Sequence, residues 1–129
     1  MSIRVLAAGL GNMGRSHALA YHNHPGFEIV GLVNRSRPTL DPALAGYSIR
    51  SEFEPALREL KPDLVSINTY SDTHAHYAVM ALEQGAHVFV EKPLATTVED
   101  AKRVVAAARA NNRKLVVGYI PATIPPGSG

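Results

Sequence analysis

Strand and helix signals alternate along the whole chain and predict an α/β fold: a doubly wound parallel sheet of about six strands with helices on both faces. Three observations carry this expectation. The strand segments are near-continuous apolar runs, as strands buried on both faces require. The segments between them repeat apolar residues at helical spacing. A glycine-rich turn, Gly9-Leu10-Gly11-Asn12-Met13-Gly14, follows the first apolar run at once.

Taken in order, Ile3 to Ala8 is the first predicted strand, and Asn12 to about His24 a helix stopped by Pro25-Gly26. Phe27 to Val33 is the second strand. Arg37 to Gly46 holds two prolines and reads as a loop with at most a short helix. Tyr47-Ser48-Ile49 is a short third strand, followed by a helix over Phe53–Leu60 that Pro62 interrupts, and Leu64 to Asn68 is the fourth strand. Ser71 or Asp72 then caps a helix with Ala75, Ala78, Val79 and Leu82 on one face, ended by Gly85. His87 to Val90 is the fifth strand. Thr96-x-x-Glu99 fits a capping box, opening a helix with Val98, Ala101, Val105 and Ala108 inward. Leu115 to Gly118 is the sixth strand, and right-handed crossovers favour the doubly wound arrangement of all six.

Composition bounds the possibilities. At 129 residues the chain is one domain, able to bury around two-thirds of its unfolded surface. With 46% hydrophobic and 19% charged residues it has an ordinary globular balance. Having no cysteine, it holds no disulfide, thiolate metal site or cysteine nucleophile. The net charge is +2, and Lys and Arg are scattered rather than clustered, which argues against a nucleic-acid partner. No apolar stretch approaches the ~20 residues of a membrane span. No signal region opens the chain, so a cytoplasmic location and no membrane partner are expected.

The spacing of the glycines has a mechanical reason. The first makes a tight turn, the second lets the backbone approach a pyrophosphate, and the third lets helix and strand pack closely, with free N–H groups facing the anion. Gly9, Gly11, Asn12, Met13 and Gly14 are therefore expected to bind a dinucleotide on a Rossmann-type sheet. An NAD site usually places an acid about 20 positions further on. Here that position is Asn34, followed by Arg35, Ser36 and Arg37. A neutral amide does not repel a 2′-phosphate, two guanidinium groups pair with one, and Ser36 can donate to it. NADP is the expected cofactor and NAD the alternative; Arg35 stacking on the adenine is the other reading of that residue.

Two further segments, Asn68-Thr69-Tyr70-Ser71-Asp72-Thr73-His74 and Gly85 through Glu91-Lys92-Pro93-Leu94-Ala95, give the chain a family resemblance. Together with the glycine motif, they make residues 1 to about 119 resemble the N-terminal domain of the Gfo/Idh/MocA oxidoreductases, named for glucose-fructose oxidoreductase, inositol dehydrogenase and MocA. Glu-Lys-Pro after the fifth strand is the specific part, and Tyr70 departs from the family's usual proline. The resemblance implies hydride transfer between a nicotinamide and a carbon bearing a hydroxyl group, often on a sugar or cyclic polyol. It implies Lys92 as the catalytic residue, polarising the reacting oxygen and relaying a proton, a task suited to a lysine whose pKa is lowered by burial. Glu91 would hold Lys92 or the nicotinamide ribose, and Lys92-Pro93 is a candidate cis bond. Thr69, Tyr70, His74 and Pro93 complete the implied cofactor site.

The other histidines call for no metal. His22-x-His24 and His74-x-His76 point to different sides of a helix and have no acidic cluster beside them. His17, His22, His24 and His87 are expected at the surface or at helix ends. Residues 120–129 are rich in proline and glycine and read as a tail or linker stub beyond a 1–119 dinucleotide-binding domain. The family continues into a second α/β domain that completes the substrate pocket, which leaves two expectations. One is the cofactor domain of a sugar or polyol dehydrogenase, incomplete by itself as an enzyme. The other is a stand-alone NAD(P)-binding sensor or silent module. Apolar surface near the last strand makes self-association a further expectation.

Overall fold

Val5, Leu6, Ala7 and Ala8 are all fully buried, as a strand with helices on both faces and neighbours on both edges requires. In the computed structural model, residues 2–35, 42–69, 71–91 and 94–118 are described, residues 12, 13, 71 and 72 by their backbone alone. These buried residues close β1 (Ile3–Ala8), the centre of a six-stranded parallel sheet. The others are β2 (Phe27–Val33), β3 (Ile49–Arg50), β4 (Leu64–Ile67), β5 (His87–Glu91) and β6 (Leu115–Gly118), in the order β3-β2-β1-β4-β5-β6. The order reverses between β1 and β4, so the carboxyl ends of those strands flank the crevice where ligands of such sheets bind.

The helices are α1 (Asn12–Asn23), α2 (Phe53–Leu60), α3 (Ser71–Glu83) and α4 (Val98–Ala110), with a 3₁₀ turn at Pro42–Leu44. Alternation along the strands separates two cores. Val5, Ala7, Ile29 and Leu32 pack with Ala18 and Tyr21 of α1 and with Leu44. Leu6, Ala8, Val65, Ile67, Val88 and Val90 pack against α2, α3 and α4, through residues such as Leu57, Leu82 and Val104. Burying a side chain of this size contributes about 1.5–3 kcal/mol. Among the described residues no helix is long and apolar enough to cross a membrane.

Four details depart from the sequence reading. The third strand is Ile49–Arg50, because Tyr47 turns its ring toward His22 of α1 instead of joining the ladder. Helix α3 already contains Ser71, so neither Ser71 nor Asp72 is its cap. Thr97, not Thr96, caps α4, its side chain accepting from the Asp100 N–H at 3.1 Å. The inward face of α4 is Val104 and Ala108, with Val98 71% and Val105 37% exposed. Ala101, Val104, Ala108 and Ala101, Val105, Ala108 are both helical stripes; only the position of the helix over its neighbours chooses between them.

Candidate dinucleotide site

The chain leaves β1 through Gly9, whose φ of 91° is the left-handed region that glycine favours. A Cβ there would lie 2.4 Å from the Asn68 carbonyl oxygen, and a Cβ on Gly14 would lie 1.9 Å from that of Gly9. Both positions are thus fixed by the protein's own backbone. Gly11 differs: a Cβ on it meets nothing within 4 Å. It is also the N-cap of α1, has no side chain to occupy the first-turn N–H groups, and no acid stands in that turn. An open approach to uncapped N–H groups at the positive end of a helix fits a pyrophosphate. The loop is anchored on both flanks, by Gly9 N–H to Val33 O (2.8 Å) and Asn68 N–H to Ala8 O (2.7 Å).

Asn34 sits just past the end of β2, and its Oδ1 accepts from the Leu10 N–H at 3.0 Å. The amide that replaces the usual acid therefore helps shape the glycine loop. Arg35 beside it is exposed and lines a groove of about 640 Å³ with Phe53, Tyr77 and Met80. The Phe53 and Tyr77 rings stack in this groove, 4.2 Å apart. The glycine loop and Glu91 are not among its lining residues.

On the far side of β1, Asn68 donates to Ser66 Oγ (3.2 Å), and Ser66 also bonds the Tyr21 hydroxyl. Burial pushes the Tyr21 phenol up, an effect the Ser66 bond partly offsets. Thr69 and Thr73 share a hydroxyl hydrogen bond of 2.6 Å. His74, 1% exposed, donates from Nε2 to the Thr69 carbonyl at 2.9 Å. This fixes the turn after β4. At the end of β5, Glu91 Oε2 lies 3.5 Å from His17 Nε2. Burial raises the Glu91 carboxyl above the usual carboxylate range, while the nearby His74 pulls it down. Burial also holds the His17 imidazole below its ordinary value.

The structure therefore holds Asn34 against the loop of Gly9, Gly11 and Gly14, with Thr69 and Glu91 at neighbouring strand ends and His74 in α3. Ser36, Arg37, Tyr70, Lys92, Pro93, the Lys92–Pro93 bond and residues 119–129 lie outside the described residues, as do the side chains of Asn12 and Met13. Two histidines are not where the sequence reading expects them. His17 is 1% exposed, its ring edge-on to Phe89 with centroids 5.2 Å apart. His87 is half-buried in β5, its Nδ1 accepting from the Lys114 N–H at 2.9 Å. His22 meets the Tyr47 hydroxyl, and His24 accepts from the Gly26 N–H. The sequence reading also left His17 and Asn68 out of the site. The buried stripe Gly14, His17, Ala18, Tyr21 (i, i+3, i+4, i+7) was the available signal for His17. No such periodicity marks Asn68.

A family profile described as the oxidoreductase family with an NAD-binding Rossmann fold, Gfo/Idh/MocA, matches residues 3–119. The chain belongs to this family. Among similar proteins, Glycosyl hydrolase family 109 protein 2 of Akkermansia muciniphila is 34% identical over 86% of this chain and 26% of its own length. Inositol 2-dehydrogenase 3 of Saccharopolyspora erythraea is 33% identical over 93% of this chain and 37% of its own length. The WlbA dehydrogenase from Bordetella pertussis, solved in complex with NADH and UDP-GlcNAcA, superposes with a TM-score of 0.80 at 29% identity, covering 90% of this chain and 34% of that one. The chain spans between about a quarter and a little over a third of the length of these relatives.

Proposed function

We propose that the chain is the cofactor domain of an NADP-preferring oxidoreductase acting on a hydroxyl or carbonyl of a sugar or cyclic polyol. The observation that carries the cofactor preference is Asn34. Its position holds a neutral amide bonded to the glycine loop, so no carboxylate stands there to repel a 2′-phosphate, and Arg35, Ser36 and Arg37 follow in sequence. The substrate class rests on the family and on the inositol dehydrogenase among the relatives.

In this reading the N–H groups opening α1 hold the pyrophosphate, with Gly11 leaving room for it. Arg35 and Arg37 pair with the 2′-phosphate, and Ser36 donates to it. Thr69, Tyr70, His74 and Pro93 complete the proposed cofactor site. Glu91 holds Lys92 or the nicotinamide ribose, and Lys92 moves the proton at the reacting oxygen. When bound, the nicotinamide supplies the hydride chemistry.

Titration calorimetry with NADPH and NADH tests the preference. Arg35→Ala with Arg37→Ala should weaken NADPH by about tenfold or more, a difference of about 1.4 kcal/mol, and leave NADH nearly unchanged. Equal losses for both cofactors would remove the NADP reading. The rival reading is a dinucleotide-binding module with no turnover of its own. Incubating the chain with NADP(H) and a panel of polyols and keto-sugars separates the two: binding without hydride transfer supports the module for this chain.

A further inference from the structure

Two buried imidazoles act on Glu91: His17 Nε2 lies 3.5 Å from its Oε2, and His74 pulls its carboxyl down electrostatically. His17 comes from α1 on one face, His74 from α3 on the other, and each is 1% exposed. His74 is held by the Thr69 carbonyl. His17 is held edge-on against Phe89, which shares its side of β5 with Glu91. The 3.5 Å between His17 Nε2 and Glu91 Oε2 is ion-pair distance but long for a hydrogen bond, and Oε2 is buried with no hydrogen-bond partner among the described residues. Leaving a buried carboxylate oxygen in that state is costly, so a slight closing of the pair is favoured. Contacts of this kind commonly tighten when ligand binds.

We infer that His17 is a positioning residue for Glu91, its imidazole setting the orientation and proton sharing of the carboxylate that precedes Lys92. Helix α1 begins at the glycine loop, so the same side chain ties the pyrophosphate end of the site to the nicotinamide end across β4. This deepens the cofactor-binding reading and rests on it for the meaning of Glu91's place. A histidine buried only as core filler against Phe89 would need no carboxylate. The other titratable groups around the pair are His74 on Glu91, Tyr21 one turn along α1, and His87 two residues before Phe89.

The test is ¹⁵N and ¹³C NMR of the His17 ring and the Glu91 carboxyl in the full chain, without cofactor, across the imidazole and carboxylate titration ranges. Glu91→Gln should lower the His17 pKa further, by removing the opposite charge, and shift its tautomer ratio. His17→Gln should raise the Glu91 pKa and weaken NADH and NADPH alike, by about threefold to tenfold. Should His17→Gln fold poorly, the His17 signal in Glu91→Gln still decides. A His17 titration and tautomer ratio unaltered in Glu91→Gln would overturn the inference, even if His17→Gln weakened binding. That outcome leaves the dinucleotide reading standing, whereas absence of any cofactor binding by the wild-type chain would strike that reading alone.

Discussion

The Leu10 N–H donates to Asn34 Oδ1 at 3.0 Å, joining the glycine loop to the residue that follows β2. One side chain therefore shapes the loop and, in the proposed site, would also set the charge facing the adenosine ribose. Asn34→Asp keeps the acceptor and adds a negative charge. It should leave thermal stability nearly unchanged and shift the NADPH to NADH preference toward NADH by about tenfold or more. Asn34→Leu removes the acceptor, so both cofactors should weaken and stability fall by about 1–3 kcal/mol. Parallel calorimetry and denaturation on the two variants would show whether these roles separate.

Gly11 and Gly14 make a matched pair for a second test. Alanine at 14 drives a methyl into the Gly9 carbonyl, 1.9 Å away, and should cost about 3 kcal/mol or more. Alanine at 11 meets no protein atom within 4 Å and should cost no more than about 1 kcal/mol. The same Gly11→Ala change should nonetheless weaken both dinucleotides at least about tenfold, because its methyl would occupy the approach proposed for the pyrophosphate. Wild-type affinity in a well-folded Gly11→Ala chain would rule out this position for the pyrophosphate.

The pH dependence of stability follows from His17 and Glu91, with opposite signs. His17 is held below the ordinary imidazole value of 6.5. The unfolded chain then binds a proton that the folded one refuses, so this contribution is complete above 6.5 and is lost as pH falls toward the folded pKa. Glu91 is raised above 4.5, so its contribution is complete below that value and is lost as pH rises through the folded pKa. His17→Gln should therefore flatten the fall in the urea midpoint between pH 7 and pH 5. A fall as steep as in the wild type would count against a buried neutral imidazole.

Helix α4 offers a simpler check. Thr97→Ala removes the bond to the Asp100 N–H and should cost about 1 kcal/mol. Thr96→Ala, one residue outside the cap, should stay within about 0.5 kcal/mol of the wild type. Thermal melts of both variants suffice.

The doubly wound sheet was legible because β1, β2, β4 and β5 are apolar runs whose alternate side chains must enter two cores, and Pro25-Gly26, Pro62 and Gly85 mark the breaks between elements. The glycine loop was legible too, because steric demand at Gly9 and Gly14 leaves only one residue type. What escaped depends on distance in space. Nothing local in the sequence places Asn34 Oδ1 on Leu10 N–H, 24 residues away, or His17 beside Glu91. Two adjacent valines hid the inward face of α4, and two adjacent threonines hid its cap, because a shift of one residue satisfies the same pattern.

The position of β1 in the sheet has a consequence for how the protein comes into being. Gly9 is wedged against the backbone of Asn68 and Thr69, and Ala8 O is held by the Asn68 N–H. The segment that finishes the glycine loop is thus synthesised some sixty residues after the loop itself. A nascent chain that has reached only β3 carries every glycine of the motif but not the surface that shapes it. Parallel strands joined over such separations assemble slowly. Dinucleotide binding by growing chains should therefore switch on only once β4 has emerged, making cofactor capture a clock for the folding of this sheet.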